Sequence, residues 1–176
     1  LLPRLLSCLL AAILSISMSM ARAQSDDPVE NPRVLMKTTD GDITIELFAD
    51  KSPITVENFL RYVDDGHYDG TVFHRVISNV MIQGGGFDTE LKEKPTRDPI
   101  VNESKNKLHN TRGTLAMART SDPDSAAAQF FINQRSNLRL DWSGGKDGYT
   151  VFGEVIDGMQ VVDIISLTDT GSAQAQ

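Results

Sequence analysis

Phe73-His74-Arg75-Val76-Ile77, with Met81-Ile82-Gln83-Gly84-Gly85-Gly86 close behind it, is the stretch on which the fold turns. Read as strands with a period of two, Arg75 shares a face with Phe73 and Ile77, and Met81 shares one with Gln83. A third run, Gln129-Phe130-Phe131-Ile132-Asn133, repeats the chemistry, with Gln129 and Phe131 on one face. Ala116 and Ala118 share a face between larger residues. Placed side by side, these strands make a shallow pocket with Met81, Ala118 and Phe131 as floor and Arg75, Gln83 and Gln129 as polar rim. An apolar pocket with a few placed donors is the usual form of a ligand site. No nucleophile and no acid–base pair stands beside the rim. Such a site suits a reaction that breaks no covalent bond.

Outward from this stretch, the chain reads as short strands with two helices. Val34 to Lys37 and Asp42 to Phe48 form a hairpin around Thr39-Asp40-Gly41, because Asp-Gly between apolar runs is a strong turn signal. Ile43, Ile45 and Leu47 alternate with Thr44 and Glu46, which gives one buried and one wet face. Ser52-Pro53 opens a helix, Ser as N-cap and Pro at the first helical position, with Val56, Phe59, Leu60 and Val63 as buried stripe and Gly66 at its end. Strand-like runs recur at 71–77, 80–83, 114–119, 128–133 and 150–155. A second helix over 158–166 buries Val161, Ile164 and Ile165. Many short strands with two helices argue for an all-β barrel or sandwich, not alternating βαβ units.

Several other chemistries find no support in the motifs. Gly84-Gly85-Gly86 lacks the Gly-Lys-Ser/Thr ending of a phosphate loop and reads as a bulge or tight turn. His67, His74 and His109 have no metal-ligand spacing, and His74 reads as a packed structural residue. Ser121 and Ser125 lack a Gly-x-Ser-x-Gly elbow.

The N-terminus reads as an export signal. Arg4 starts it, Leu5 to Met20 is apolar or small, and Ala21-Arg22-Ala23 fits a cleavage site, so 1–23 is assigned as signal peptide and 24–32 as a flexible leader. The apolar stretch is short of the roughly 20 residues that a membrane helix needs, so no stable span is expected after cleavage. Loss of Arg4 and Arg22 takes the formal net charge from −7 to about −9, which argues against nucleic-acid binding. Cys8, the single cysteine, leaves with the signal. That removes disulfides, thiolate metal sites and thiol catalysis from the mature chain.

Taken together, the Phe-His-Arg-Val-Ile strand, Met81-Ile82-Gln83-Gly84-Gly85, Gly113 to Arg119, Ser125 to Asn133 and Gly148 to Val155 resemble the cyclophilin-type peptidyl-prolyl isomerases, over about Val34 to Thr168. The resemblance implies a closed eight-stranded antiparallel β-barrel with a helix covering each end, occupying 33–176. It implies no cofactor, no metal, and proline-containing polypeptides as substrates of a monomer that assists folding in the periplasm or outside the cell. It assigns Arg75 as the catalytic arginine and Gln83 as the residue that holds substrate and steadies it. Met81, Phe131 and Leu140 match walls of the proline pocket, and Ala118 and Gln129 the groove for the peptide backbone. Tyr149 stands where many members carry a histidine.

Three departures bear on affinity. Val80 occupies a position usually Phe, Arg119 replaces an asparagine, and Arg139 stands where an aromatic residue, often Trp, lines the site, with Trp142 three residues later. They leave a second reading open: a proline-peptide-binding or chaperone module on the same fold. The resemblance also implies a further strand after the last helix, pairing near Val34, which the sequence does not reach; the domain's C-terminus is expected to run longer.

Overall fold

The computed structural model describes residues 31–168 and Gly171. The expected signal peptide, and all of the leader but its last two residues, lie outside the described residues. β1 (Arg33–Thr38) and β2 (Gly41–Leu47) pair in register with Thr38 opposite Gly41, so the hairpin expected at Asp40-Gly41 forms. Helix α1 (Pro53–Asp64) follows, then β3 (Arg75–Ile77), β4 (Met81–Gly84), β5 (Thr114–Met117), β6 (Phe130–Asn133), β7 (Val151–Asp157) and helix α2 (Met159–Ser166). Short 3₁₀ turns lie at Ser104–Asn106 and Leu138–Leu140.

The seven strands form one antiparallel sheet in the order β1-β2-β7-β5-β6-β4-β3. The architecture is all-β with two helices, as expected, but among the described residues the sheet is open: β1 and β3 are its two ends, and closure into an eight-stranded barrel is not seen. The strand expected over 71–77 begins only at Arg75, and Thr71 makes an isolated bridge to Asp88.

The inner face holds the main core. Ile43, Ile45 and Leu47 from β2, Ile82 from β4, Leu115 from β5, Ile132 from β6 and Phe152 from β7 have no exposed surface and pack with Val56 and Phe59 of α1 and Val161, Val162 and Ile165 of α2. Each buried aliphatic or aromatic side chain contributes about 1.5–3 kcal/mol.

Both helices correct details of the sequence reading. In α1, Ser52 holds the N-cap position but does not cap the helix: its hydroxyl donates to the Val151 carbonyl at 2.8 Å. The carboxylate of Glu103 caps instead, accepting from Ile54 N at 3.2 Å, Thr55 N at 2.8 Å and Thr55 Oγ1 at 2.6 Å. The fully buried α1 residues are Thr55, Val56, Asn58, Phe59 and Tyr62, with Leu60 and Val63 at the margin. In α2, Val162 and not Ile164 completes the buried stripe; Ile164 is half exposed.

Candidate functional site

The site forms on the sheet face opposite the main core. Gln83 of β4 pairs in register with Arg75 of β3 on one side and Phe131 of β6 on the other. Phe131 pairs with Ala116 of β5, and Ala116 with Val151 of β7. Cross-strand partners share a face, so these five residues form one row across five strands. Met81, Ala116, Phe131 and Val151 are buried together as a small second core, with Ile77, Val80, Leu108, Ala118, Leu140 and Tyr149 packed on it. The period-two reading therefore sorted β4 and β6 correctly, Ile82 and Ile132 to one core and Met81 and Phe131 to the other, but not Phe73, which was expected to share a face with Arg75 and instead packs with the main core because the strand begins only at Arg75.

Above this floor is an open cavity of about 490 Å³. All eight residues singled out from the sequence line it: Arg75, Gln83, Met81, Ala118, Gln129, Phe131, Leu140 and Tyr149. Val80 and Arg139 line it too, whereas Trp142 is exposed and stays out of the lining. Tyr149 meets Phe131 edge to face at 5.7 Å between ring centroids.

The polar rim is wired in one direction. Gln83 accepts from Arg75 Nη1 through Oε1 at 3.2 Å and donates through Nε2 to Gln129 Oε1 at 2.9 Å. The guanidinium of Arg75 is exposed at the cavity mouth. His74, next in sequence, stacks on Phe87 at 4.5 Å between centroids and also meets the Gln129 side chain. Burial pulls its imidazole below the usual 6.5, and Nδ1 is buried without a hydrogen-bond partner. His74 is thus a packed residue, as the sequence reading had it.

Other contacts at the site carried no signal in the sequence. Arg119 turns its guanidinium onto backbone carbonyls: Nη1 donates to Thr120 at 2.9 Å, Nη2 to Asp147 at 2.8 Å and Nε to Gly148 at 3.2 Å. Its charge lies 4.6 Å from the Tyr149 ring centroid. A second support holds the turn that carries Arg139 and Leu140. Asn137 Nδ2 donates to Asn133 Oδ1 at 2.8 Å and to the Val80 carbonyl at 3.0 Å, and Asp141 accepts from Asn110 N at 2.7 Å and His109 Nδ1 at 2.8 Å. The charged loop after Leu91 supplies Glu93, Thr96, Arg97 and Pro99 to the far wall. Among the described residues no cluster of His, Cys, Asp or Glu is arranged to hold a metal.

What this arrangement offers is a cation and two amides over an apolar floor, in an open cavity of about 490 Å³. Residues 33–176 match the family model described as cyclophilin type peptidyl-prolyl cis-trans isomerase/CLD. The sequence is 58% identical over 142 residues to the peptidyl-prolyl cis-trans isomerase of Acinetobacter baylyi, a match covering 81% of this chain and 76% of the relative. It is 56% identical over 141 residues to peptidyl-prolyl cis-trans isomerase B of Escherichia coli K12, covering 78% and 86%. The crystal structure of a Cryptosporidium parvum cyclophilin type isomerase, determined in the presence of the dipeptide Ala-Pro, superposes with a TM-score of 0.68 at 28% identity, covering 80% of this chain and 88% of that one.

Proposed function

This chain belongs to the cyclophilin-type peptidyl-prolyl cis-trans isomerases and interconverts the cis and trans forms of X–Pro peptide bonds in polypeptides, and we propose that Arg75 carries the reaction. The observation behind this is the Arg75–Gln83–Gln129 chain above the Met81–Phe131 floor.

Uncatalysed isomerisation takes tens to hundreds of seconds across a barrier of about 20 kcal/mol. The barrier is the lost amide resonance of the planar bond. In the twisted state the proline nitrogen becomes pyramidal and gains a lone pair. A donor aimed at that nitrogen stabilises the twisted state and not the planar one, which is what lowers a barrier. Arg75 supplies the donor, and an arginine guanidinium is charged at any working pH. Gln83 fixes its direction by accepting from Nη1.

One hydrogen bond is not enough. A gain of five decades needs about 7 kcal/mol, and a charge-assisted hydrogen bond contributes about 1.5–3 kcal/mol net. Two further effects fit the remainder. A proline ring seated on Met81, Phe131 and Leu140 covers the guanidinium and lowers the local dielectric, which strengthens the bond. The groove along Ala118 and Gln129 grips the chain on either side of the ring, so that the twist is confined to one bond.

The test is turnover of a proline peptide by Arg75→Ala. Loss of orders of magnitude in a folded protein is expected; near-parental turnover would refute the assignment.

Three further elements belong to the proposal. The enzyme works outside the cytoplasm, in the periplasm or medium, on the strength of Arg4, the apolar run Leu5 to Met20 and Ala21-Arg22-Ala23; N-terminal sequencing of the protein recovered from cells should begin at Gln24. It acts as a monomer, as the family resemblance implies; sedimentation at the dimer mass would count against this. Finally, a further strand closes the barrel. A gap of about 440 Å³ lies between Met36, Lys37 and Thr38 of the end strand β1 and Val72 and Phe73, the segment leading into the other end strand, with Gly84 of β4 beside them, and an unpaired strand edge invites a partner. Free hydrogen exchange along the outer edge of β1 would argue against closure.

A further inference from the structure

We propose that Gly86 is a positioning residue for the isomerase reaction: its bare Cα seats the Gln129 side chain, and through Gln83 that seat sets the aim of Arg75. The inference rests on the assignment of Arg75 to the reacting bond.

The three consecutive glycines are glycine for different reasons. Gly85 has φ +84°, the left-handed region that side chains avoid. Gly84 faces the Phe73 ring, which a Cβ would approach to 3.0 Å. Gly86 has no positive φ, so its backbone conformation does not call for glycine. A Cβ there would instead stand 2.5 Å from Gln129 Cδ and Nε2 and 2.6 Å from Cγ. The outer half of the Gln129 side chain thus lies flat over the Gly86 Cα.

That packing determines more than one rotamer. Gln129 Oε1 accepts from Gln83 Nε2 at 2.9 Å. Because an amide has a donor end and an acceptor end, this bond decides which end of Gln83 faces Arg75. With Nε2 engaged, Oε1 faces the guanidinium and holds Nη1 at 3.2 Å. The three atoms nearest to a methyl group at Gly86 all belong to the flexible end of Gln129, which swings aside and leaves the fold intact. Gln83 then loses its orienting acceptor, and its amide is free to turn NH₂ toward a cation. The apolar floor of Met81, Ala116 and Phe131 is not touched, so the proline ring keeps its seat while the cation is misdirected.

The experiment measures kcat and KM with a proline peptide for the parent, Gly86→Ala, Gln129→Ala, the double variant and Arg75→Ala. Gly86→Ala should keep the circular-dichroism spectrum and cooperative unfolding of the parent. Its kcat should fall about tenfold to a hundredfold, the scale of a misplaced catalytic group, while KM rises no further than in Gln129→Ala, since the Gln129 side chain also grips the peptide. In the Gln129→Ala background the same change should cost nothing further, since residues in contact do not add. Parental kcat in Gly86→Ala, a loss that persists without the Gln129 side chain, or a variant that does not fold would each overturn the proposal. An inactive Arg75→Ala beside a fully active Gly86→Ala removes only this inference. An active Arg75→Ala removes the assignment of Arg75 beneath it.

Discussion

Arg119 lies over Tyr149, its guanidinium carbon 4.6 Å from the ring centroid, while its nitrogens are taken up by the carbonyls of Thr120, Asp147 and Gly148. The arginine that in the sequence stands in place of an asparagine is therefore a brace. It ties the segment before β7 to the end of β5 and presses Tyr149 against Phe131.

Removing that brace should loosen a wall without touching the donor. Arg119→Ala is expected to raise KM for a proline peptide about three- to tenfold, the range of a partly desolvated cation–π contact, with kcat nearly unchanged. Steady-state kinetics checks this, and a fall in kcat at constant KM would contradict it. Arg119→Lys should not restore the parent, because a point charge cannot reach three carbonyls at once.

At the reacting bond, Arg75→Lys separates charge from geometry. Lysine keeps the cation but loses the planar fork that meets Gln83 Oε1. We expect its kcat to lie between those of the parent and Arg75→Ala, closer to the latter. Parental kcat in Arg75→Lys would mean that charge alone suffices and that Gln83 does not aim the donor.

Glu103→Ala addresses stability alone. It removes the acceptor for Ile54 N and Thr55 N and the partner of Thr55 Oγ1. Loss of an N-cap costs about 1–2 kcal/mol, so thermal unfolding should shift down by several degrees while kcat/KM is kept. Glu103→Gln should recover part of the loss, since it keeps an acceptor but not the favourable charge at a helix N-terminus.

Acid should affect stability and activity differently. Burial lowers the His67 and His74 imidazoles below 6.5, so the unfolded chain takes up protons that the folded one refuses. Stability should therefore decline as pH falls below about 6.5. A second decline should follow under more acidic conditions. Burial pushes Asp141 up, but hydrogen bonds from Asn110 and His109 outweigh it, and the Arg112 hydrogen bond lowers Asp163; both carboxyls sit below 3.8, and their contribution is lost as pH falls through those lowered values. Between about pH 6.5 and 8, kcat should stay flat, because no group assigned to the reaction titrates there. A bell-shaped profile in that window would return a histidine to the mechanism. Denaturant melts and rate profiles across the range read the two effects apart.

Read alone, the sequence determined whatever rests on local period and turn chemistry. Alternation in β2, β4 and β6 assigned Ile43, Ile82 and Ile132 to one face and Met81 and Phe131 to the other, because a strand's side chains must alternate. Asp40-Gly41 and Ser52-Pro53 marked a turn and a helix start for equally local reasons. The resemblance to the cyclophilin-type isomerases singled out the eight pocket residues, Leu140 and Tyr149 among them.

Tertiary structure alone decided which distant groups meet. Glu103 caps a helix 48 positions away in place of Ser52, whose hydroxyl found a carbonyl on β7. Val162 displaced Ile164 from the core because the sheet, not the helix, sets which side of α2 is covered. The Arg119 brace, the Asn133–Asn137 support under Leu140 and the Gly86 seat beneath Gln129 join segments whose spacing in the chain carries no signal of contact. Hydrogen bonds and packing act over a few ångströms of space and are indifferent to sequence separation. The aim of Arg75 is therefore a property of the folded sheet, where β3, β4 and the start of β6 bring three side chains into one line.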